Sequence, residues 1–198
     1  MSTILEAPTR RPVSTIVPGG PFLKAPSARH LGQLLRIVPD HPRPGIQFID
    51  IMPLLADPGA LRSTIDALAT PFEASPVDRV VAIESRGFLL GAGLAARLGA
   101  GLVALRKPGK LPGLTTRVSY ALEYGEDALE VQQDALRPGD RVLLVDDVLA
   151  TGGTAGAALK LIQELQGEVV GVAFLIELAE LGGRARLGDV PLHVVLER

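Results

Sequence analysis

Short apolar runs and amphipathic stretches alternate along most of the 198-residue chain. Five runs have the length and composition of buried strands, and they lie at 77–83, 102–105, 141–145, 169–176 and 192–196. Three stretches have helical periodicity, and they lie at 58–68, 88–98 and 154–165. Apolar strands that alternate with helices predict an α/β fold, in which a mostly parallel sheet is flanked by helices on both faces.

The first part of the chain has a different composition. Five prolines interrupt every potential helix there, at Pro8, Pro12, Pro18, Pro21 and Pro26. We therefore expect residues 1–28 to form a disordered or loosely docked extension, and residues 29–198 to form one domain. Within that domain, the apolar spacing between Leu31 and Val38 predicts a short helix that ends at Pro39.

Two stretches interrupt the alternation after the predicted strand at 102–105. Residues 107–119 are rich in glycine, proline, lysine and threonine, and they are numerous enough to form a mobile functional loop. Residues 122–124 and 129–131 then predict a hairpin whose arms are joined across 125–127.

Composition narrows the classes of function. The formal net charge of −2 argues against general binding of nucleic acid. The chain has no cysteine, so disulfides and thiolate metal sites are excluded, and its three histidines show no metal-ligand spacing. The sequence has neither an apolar run that could span a membrane nor the apolar core of a secretion signal at its N-terminus. We therefore expect a cytoplasmic enzyme.

Two adjacent carboxylates and a glycine turn follow the predicted strand 141–145. Asp146 and Asp147 come first, and the turn 151–154 (Thr-Gly-Gly-Thr) leads into the next predicted helix. A helix N-terminus offers unpaired N–H groups to a phosphate, and glycines let the backbone approach that anion closely. Carboxylates can hold a sugar diol or a Mg²⁺ ion. Because adjacent buried carboxylates are costly unless paired or ligated, the block favours a binding site over an ordinary turn.

Two further stretches are predicted at the same edge of the sheet. Residues 84–88 (Glu-Ser-Arg-Gly-Phe) lie between a strand and a helix, so their backbone donors and Arg86 can bind an anion. Residues 106–113 follow the next strand. They contain the three cations Arg106, Lys107 and Lys110. Parallel sheets bind ligands beyond the carboxyl ends of their strands, so a second anionic group is predicted there.

The block 142–154 resembles the signature with which type I phosphoribosyltransferases bind 5-phosphoribosyl-1-pyrophosphate (PRPP). The resemblance implies their fold, with a flexible catalytic loop and a small N-terminal hood that binds the base. It assigns the ribose and the 5′-phosphate to Asp146, Asp147, Ala150, Thr151, Gly152, Gly153 and Thr154. It assigns pyrophosphate to Ser85, Arg86, Arg106 and Lys110. It also implies Mg²⁺, brought in by PRPP, with the acidic pair as the candidate protein ligands.

Other segments narrow the resemblance to the adenine phosphoribosyltransferases. They match that family in order and spacing from about Leu31 to the C-terminus, at 44–48, 84–88, 106–112, 120–125, 136–140 and 177–178. The sequence Leu-Glu-Tyr-Gly at 122–125 separates this family most clearly from its relatives. The resemblance implies a homodimer that converts adenine and PRPP to AMP and pyrophosphate, with no nucleic-acid or membrane partner.

The same resemblance assigns residues to the base and to catalysis. Adenine is expected to contact Gln47, Phe48, Ile49, Arg86 and Leu178. The implied catalytic group consists of Glu123, Arg106, Lys110 and Tyr124. Glu123 would face the purine as a catalytic carboxylate, while Tyr124 and the loop 107–119 would close over the site. Ile49 departs from the family, which usually has a basic residue there, so the contact at this position could be made by backbone or by side chain.

Two other functions stay open on sequence grounds. A transcription regulator could keep this fold to sense PRPP, but residues 1–28 contain neither a helix-turn-helix pattern nor a basic patch that would bind DNA. A transferase could also use xanthine, hypoxanthine or orotate, because many phosphoribosyltransferases share the acidic block.

Overall fold

The computed structural model describes residues 28–122 and 125–198. Residues 1–27, Glu123 and Tyr124 lie outside this range, so what the sequence predicts for them stays a prediction. The helices are α1 (Ala28–Gln33), α2 (Met52–Ala56), α3 (Pro58–Ala69), α4 (Gly87–Leu98) and α5 (Gly153–Glu164). The strands are β1 (Arg36–Val38), β2 (Phe48–Asp50), β3 (Arg79–Ile83), β4 (Gly101–Leu105), β5 (Thr115–Leu122), β6 (Gly125–Gln132), β7 (Arg141–Leu149), β8 (Glu168–Glu177) and β9 (Leu192–Glu197). None of the helices in the described ranges combines the length and the apolar content that crossing a membrane requires.

Five parallel strands form the central sheet in the order β4–β3–β7–β8–β9. From β3 the chain passes through α4 to β4 on one side, and from β7 it passes through α5 to β8 on the other. The strand order therefore reverses between β3 and β7. The crevice at such a reversal is where open α/β sheets bind their ligands. The predicted α/β fold with a mostly parallel sheet is confirmed.

Side chains alternate in direction along each strand, so each strand contributes residues to a core on both faces of the sheet. Val80 and Ala82 of β3 pack in one core with residues of α3 and α4. Val81 and Ile83 pack in a second core with residues of α5 and of the β5–β6 hairpin. The two cores fix α4 and α5 against the sheet, so that both helices begin at its carboxyl edge.

Strand β7 is longer than the sequence predicted. The apolar run ends at Val145, but β7 stays paired with β8 as far as Leu149. It pairs with β3 only as far as Val145. The expectation that Asp146 and Asp147 follow the end of the strand is therefore wrong, because both residues lie inside β7. They occupy the part of β7 that β3 leaves uncovered, and this part faces the crevice.

A short antiparallel pair, β1–β2, lies outside the main sheet. The helix predicted over 31–38 is wrong in its second half, since α1 ends at Gln33 and β1 follows. Helical geometry is disfavoured for Val38 because a proline follows it. Across the pair, Arg36 Nε donates to Asp50 Oδ2 at 3.0 Å, which favours the strand.

The β5–β6 hairpin covers the sheet next to α5. Its register pairs Leu122 with Gly125, so the connection predicted at 125–127 is wrong and those residues belong to β6. Because β5 begins at Thr115, the irregular segment that precedes it spans 107–114 rather than the predicted 107–119.

Candidate active site

A cleft of about 620 Å³ lies beyond the carboxyl ends of β3 and β7, where the strand order reverses. Its walls come from the β3–α4 turn, the end of β7, the segment before and within β2, and Leu178 after β8. The lining residues are Ile46, Gln47, Phe48, Ile49, Glu84, Ser85, Arg86, Lys107, Asp146, Asp147, Val148, Ala150, Thr154 and Leu178.

Two carboxylates stand at the centre of the cleft. Asp147 is 5% exposed, and its Oδ2 lies 2.6 Å from Arg86 Nε. This contact is an ion pair without hydrogen-bond alignment, so among the described residues that buried oxygen has no donor. Asp146 Oδ1 accepts the N–H of Asp147 at 2.9 Å. A Cβ at Gly87 would lie 2.7 Å from the same Oδ1, so glycine at the start of α4 leaves room for the carboxylate.

Burial raises the pKa of both carboxyls above the ordinary value of 3.8. At Asp146 the negative charge of Asp147 raises the pKa further. At Asp147 the Arg86 guanidinium opposes the effect of burial. The pair therefore favours ligands that supply hydroxyl donors or positive charge.

The turn after β7 leads into the N-terminus of α5. Gly152 has φ 79°, a left-handed conformation that glycine adopts without steric cost, and α5 begins at Gly153. The turn borders a small cavity of about 80 Å³, lined by residues 148–155 with Asp146 and Phe174. Unpaired N–H groups at a helix start, together with the helix dipole, suit a phosphate.

A second glycine supports this turn from behind. A Cβ on Gly152 would lie 2.5 Å from the carbonyl oxygen of Gly183, and a Cβ on Gly183 would clash with the carbonyl oxygen of Ala150. The 3₁₀ turn Gly183–Arg186 therefore packs directly against the backbone of the β7–α5 turn.

The carboxylate of Glu84, just after β3, binds two cations of the segment 106–113. Glu84 Oε2 accepts from Arg106 Nε at 3.2 Å, and Glu84 Oε1 accepts from Lys110 Nζ at 2.5 Å. Lys107 is ion-paired with Asp127 of β6 instead. The peptide bond between Glu84 and Ser85 is cis. The segment is thus linked both to the β3–α4 turn and to the hairpin.

The other side of the cleft is apolar and aromatic. The Arg86 guanidinium lies over the ring of Phe48 at 4.5 Å from its centroid. His41 contacts the same ring edge-on, with centroids 4.9 Å apart. Ile49 and Leu178 are partly buried and pack against the core that contains α3 and α4. Arg86 contacts both Phe48 and Asp147, so it joins this side to the acidic pair.

Residues 60–190 match the phosphoribosyl transferase domain family. An adenine phosphoribosyltransferase of Methylobacterium sp. (strain 4-46) is 52% identical over 169 residues, which are 84% of this chain and 93% of that relative. The chain belongs to the adenine phosphoribosyltransferase family. Superposition on the crystal structure of the adenine phosphoribosyltransferase from Rhodothermus marinus gives a TM-score of 0.84 at 55% sequence identity. It covers 86% of this chain and 98% of that chain. The Saccharomyces cerevisiae member was crystallised with adenine and an imino-altritol bisphosphate. Its TM-score is 0.81 at 40% sequence identity, and the match covers 85% of this chain and 98% of that chain.

Family membership confirms the type I phosphoribosyltransferase fold and the enzyme class, a glycosyltransferase. Most residues that the sequence assigned to ligands lie together. Those that line the cleft are Gln47, Phe48, Ile49, Ser85, Arg86, Asp146, Asp147, Ala150, Thr154 and Leu178. Those that line the adjoining cavity include Thr151, Gly152 and Gly153. Arg106 and Lys110 meet the cleft through Glu84. Glu123 and Tyr124 lie outside the described residues.

Sequence reasoning missed several polar residues of this adenine phosphoribosyltransferase fold. Tyr120 accepts hydrogen bonds from Lys107 Nζ at 3.0 Å and from Thr154 Oγ1 at 3.3 Å, and it donates to Asp127 at 3.1 Å. It therefore connects the segment after β4 with the β7–α5 turn. The motif at 84–88 contains Glu84, but no sequence pattern indicates that this carboxylate pairs with cations 22 and 26 residues later.

Proposed function

We propose that this enzyme transfers the phosphoribosyl group of PRPP to adenine, giving AMP and pyrophosphate in purine salvage. The observation that carries the proposal is the composition of one cleft. An acidic pair and a glycine turn suit ribose 5-phosphate, and an aromatic and apolar wall opposite suits a purine. The complex of the yeast relative with adenine supports the choice of base.

The ribose phosphate would be held by the end of β7 and the turn that follows. Asp146 and Asp147 would accept hydrogen bonds from the ribose hydroxyls. One of these hydroxyls would supply the hydrogen-bond donor that Asp147 Oδ2 lacks among the described residues. Backbone N–H groups of 150–154 and the hydroxyls of Thr151 and Thr154 would hold the 5′-phosphate.

The leaving pyrophosphate would lie between the β3–α4 turn and the segment 106–113. Ser85 and Arg86 would bind it from one side, and Arg106 and Lys110 from the other. No cluster of three or more metal-ligating side chains occurs among the described residues, and the acidic pair with substrate phosphates is the donor set that Mg²⁺ prefers. Bound in this way, Mg²⁺ would neutralise charge that develops on pyrophosphate.

Adenine would stack on Phe48 with Leu178 packed against it. The Arg86 guanidinium covers one face of the Phe48 ring, so the purine would take the other face. Backbone groups near Gln47 and Ile49 would form hydrogen bonds with the edge of the base. Because the Ile49 side chain packs partly against the core, a backbone contact is the more natural one at this position.

The reaction would be a displacement at the anomeric carbon, in which the bond to pyrophosphate breaks and a bond to a purine nitrogen forms. Such centres pass through oxocarbenium-like states, which water intercepts readily. Tyr124 and the segment 107–114 would exclude water from the closed site. Glu123 would accept or share the imidazole proton that adenine exchanges on transfer.

The choice of base can be tested with one assay. Pyrophosphate release from PRPP should be measured with adenine, hypoxanthine, xanthine and orotate under the same conditions. Adenine should give the highest kcat/KM of the four bases. A higher kcat/KM with another base would replace the assignment of adenine, and no release with any base would overturn the transferase assignment for this chain.

The role of Glu123 has a separate kinetic signature. Glu123→Gln should lower kcat and kcat/KM for adenine together, by about 10²–10⁴. The affinity for PRPP should change little, because its proposed contacts lie elsewhere. Changes below about twofold in every constant would show that Glu123 is a solvated hairpin residue instead.

We also propose that the enzyme works as a homodimer in the cytoplasm. Leu89 of α4 and Leu102 of the edge strand β4 are 48% and 49% exposed, and a partner subunit would cover such apolar side chains. Light scattering coupled to size-exclusion chromatography should give a mass near twice the 20.8 kDa of one chain. A mass near 20.8 kDa would contradict the dimer.

A further inference from the structure

Glu84 places a negative charge where an anionic leaving group is proposed to bind. Its side chain is 10% exposed and lines the cleft. It contacts both cations assigned to pyrophosphate, Arg106 Nε at 3.2 Å and Lys110 Nζ at 2.5 Å. A like charge beside a bound anion is unfavourable. The carboxylate therefore needs a role that outweighs this repulsion.

The backbone fixes the position of Glu84. Its N–H donates to the carbonyl of Leu105 at 2.9 Å, and its Oε2 accepts the N–H of Lys107 at 3.0 Å. Both bonds tie the end of β3 to the end of β4. Burial opposes ionisation, but hydrogen bonds from Lys110, Lys107 and Arg106 keep the pKa of Glu84 below its ordinary value, so the group is charged at neutral pH.

The two cations differ in their freedom to move. The Arg106 side chain is 34% exposed, and its Nη1 also donates to the carbonyl of Lys110 at 3.2 Å. The Lys110 side chain is 48% exposed, and within the described part of the chain it forms an ion pair with Glu84 alone. Lys110 can therefore change partner with less rearrangement than Arg106 or the carboxylate itself.

We propose that Glu84 is an internal anion that holds Lys110 and Arg106 while the site is empty and yields Lys110 to pyrophosphate when that group binds. Because this inference rests on the proposed function, it concerns the pyrophosphate of that same reaction. The exchange replaces one ammonium–carboxylate contact by an ammonium–phosphate contact and forms or breaks no covalent bond. Glu84 thereby weakens pyrophosphate binding and favours release of the product, and it acts as a positioning residue for the two cations.

The central test removes the negative charge and retains an acceptor for the Lys107 N–H. Glu84→Gln should bind magnesium pyrophosphate about threefold to tenfold more tightly than the wild type in titration calorimetry. The reason is that the carboxylate of residue 84 no longer competes with pyrophosphate for the half-exposed Lys110 ammonium. The inhibition constant of pyrophosphate against PRPP should fall by the same factor. Glu84→Asp keeps the charge and should not bind pyrophosphate more tightly.

Glu130→Gln is the matched control. Glu130 is 9% exposed and accepts the N–H of Gly109 at 3.0 Å, so it contacts the same segment through the backbone and pairs there with no cation among the described contacts. The affinity of the Glu130→Gln variant for pyrophosphate should stay within about twofold of the wild type, because the substitution leaves the ion pairs of Glu84 with Arg106 and Lys110 intact.

Three results would overturn the inference: unchanged or weaker pyrophosphate binding in a folded Glu84→Gln variant, equal tightening in Glu130→Gln, or equal tightening in Glu84→Asp. Melting curves establish that each variant is folded. The proposed function is judged separately, by whether the wild type releases pyrophosphate when adenine and PRPP are supplied.

Discussion

The two sides of the cleft are built in different ways. The side proposed to hold the phosphoribosyl group, here called the phosphate side, comes from contiguous residues, 146–154, at the junction of β7 and α5. Its groups are backbone donors, the buried Asp147 and the half-buried Asp146. The base side combines segments that are far apart in the sequence, with Phe48 from the small β1–β2 pair and Leu178 from beyond β8. The phosphate side is therefore assembled from one stretch of the chain, whereas the base side depends on tertiary contacts between distant segments.

The difference has an energetic counterpart. Asp146 and Asp147 repel each other in a buried setting, so the phosphate side reduces the stability of the empty protein. Phe48, by contrast, gains contacts with Arg86 and His41 without any ligand. We infer that neutralising a carboxylate on the phosphate side lowers activity but raises the stability of the folded protein. Substitutions on the base side should instead change only the affinity for the base.

The largest effect is expected when both carboxylates are neutralised. Asp146→Asn combined with Asp147→Asn should lower kcat/KM for PRPP by about 10³-fold or more, because the ribose contacts and the candidate Mg²⁺ ligands are lost together. Steady-state assays over a Mg²⁺ titration measure this. Asp134→Asn with Asp189→Asn removes the same charge from exposed positions and should keep full activity. Full activity of the acidic-pair variant in chelator-treated buffer would contradict the assignment of the phosphate side.

A smaller and more selective effect is expected on the base side. Phe48→Ala should raise KM for adenine by about tenfold to a hundredfold, which corresponds to the 1–3 kcal/mol of a base stacked on an aromatic ring. KM for PRPP should change by less than about threefold, because the phosphate side is built from other segments. Ile37→Ala, on the paired strand β1 and 51% exposed, is the control and should leave both constants unchanged. An equal rise in both KM values would show that the two sides are not independent.

The smallest effect concerns stability. Asp146→Asn should raise Tm by about 2–4 °C at pH 8, or about 1 kcal/mol for a chain of this size. The folded state raises the pKa of Asp146, so it binds that proton more tightly than the unfolded chain does. The destabilisation therefore appears as the pH rises above 3.8 and is complete above the raised pKa.

Calorimetric scans of the wild type and of Asp146→Asn should accordingly agree near about pH 4 and diverge as the pH rises. Asp189→Asn, at an exposed position, should show no such divergence. A lower Tm for Asp146→Asn at pH 8 would mean that the carboxylate stabilises the empty site.

The contrast between the two sides also explains what the sequence could predict. The acidic block was recognisable because its residues are neighbours in the chain, and strand–turn–helix geometry brings them together without long-range contacts. The strands and helices of the main sheet were predictable for a similar reason, because burial on both faces imposes continuous apolar runs. Phe48 and Leu178 were assigned only through the family resemblance, since on pattern alone each reads as an ordinary core residue.

The failures fall where tertiary pairing decides the outcome. Residues 36–38 carry a helical pattern, but pairing with β2 makes them a strand. Strand β7 extends past its apolar run because β8 continues beside it. Glu84 could not be recognised as a partner of Arg106 and Lys110, because β3 and β4 must first lie side by side. Each case depends on a neighbour that is distant in the sequence.

The packing of Gly152 against Gly183 has a consequence for protein engineering. Each glycine faces a carbonyl oxygen of the opposing segment, and no side-chain substitution elsewhere can move such an atom away. A compensating mutation is therefore hard to find for either position. The number of residues between Leu178 and Gly183 matters for the same reason, because an insertion would shift the second glycine away from Ala150. Libraries that aim to change the base should vary Phe48 and Leu178 and keep the length of this segment constant.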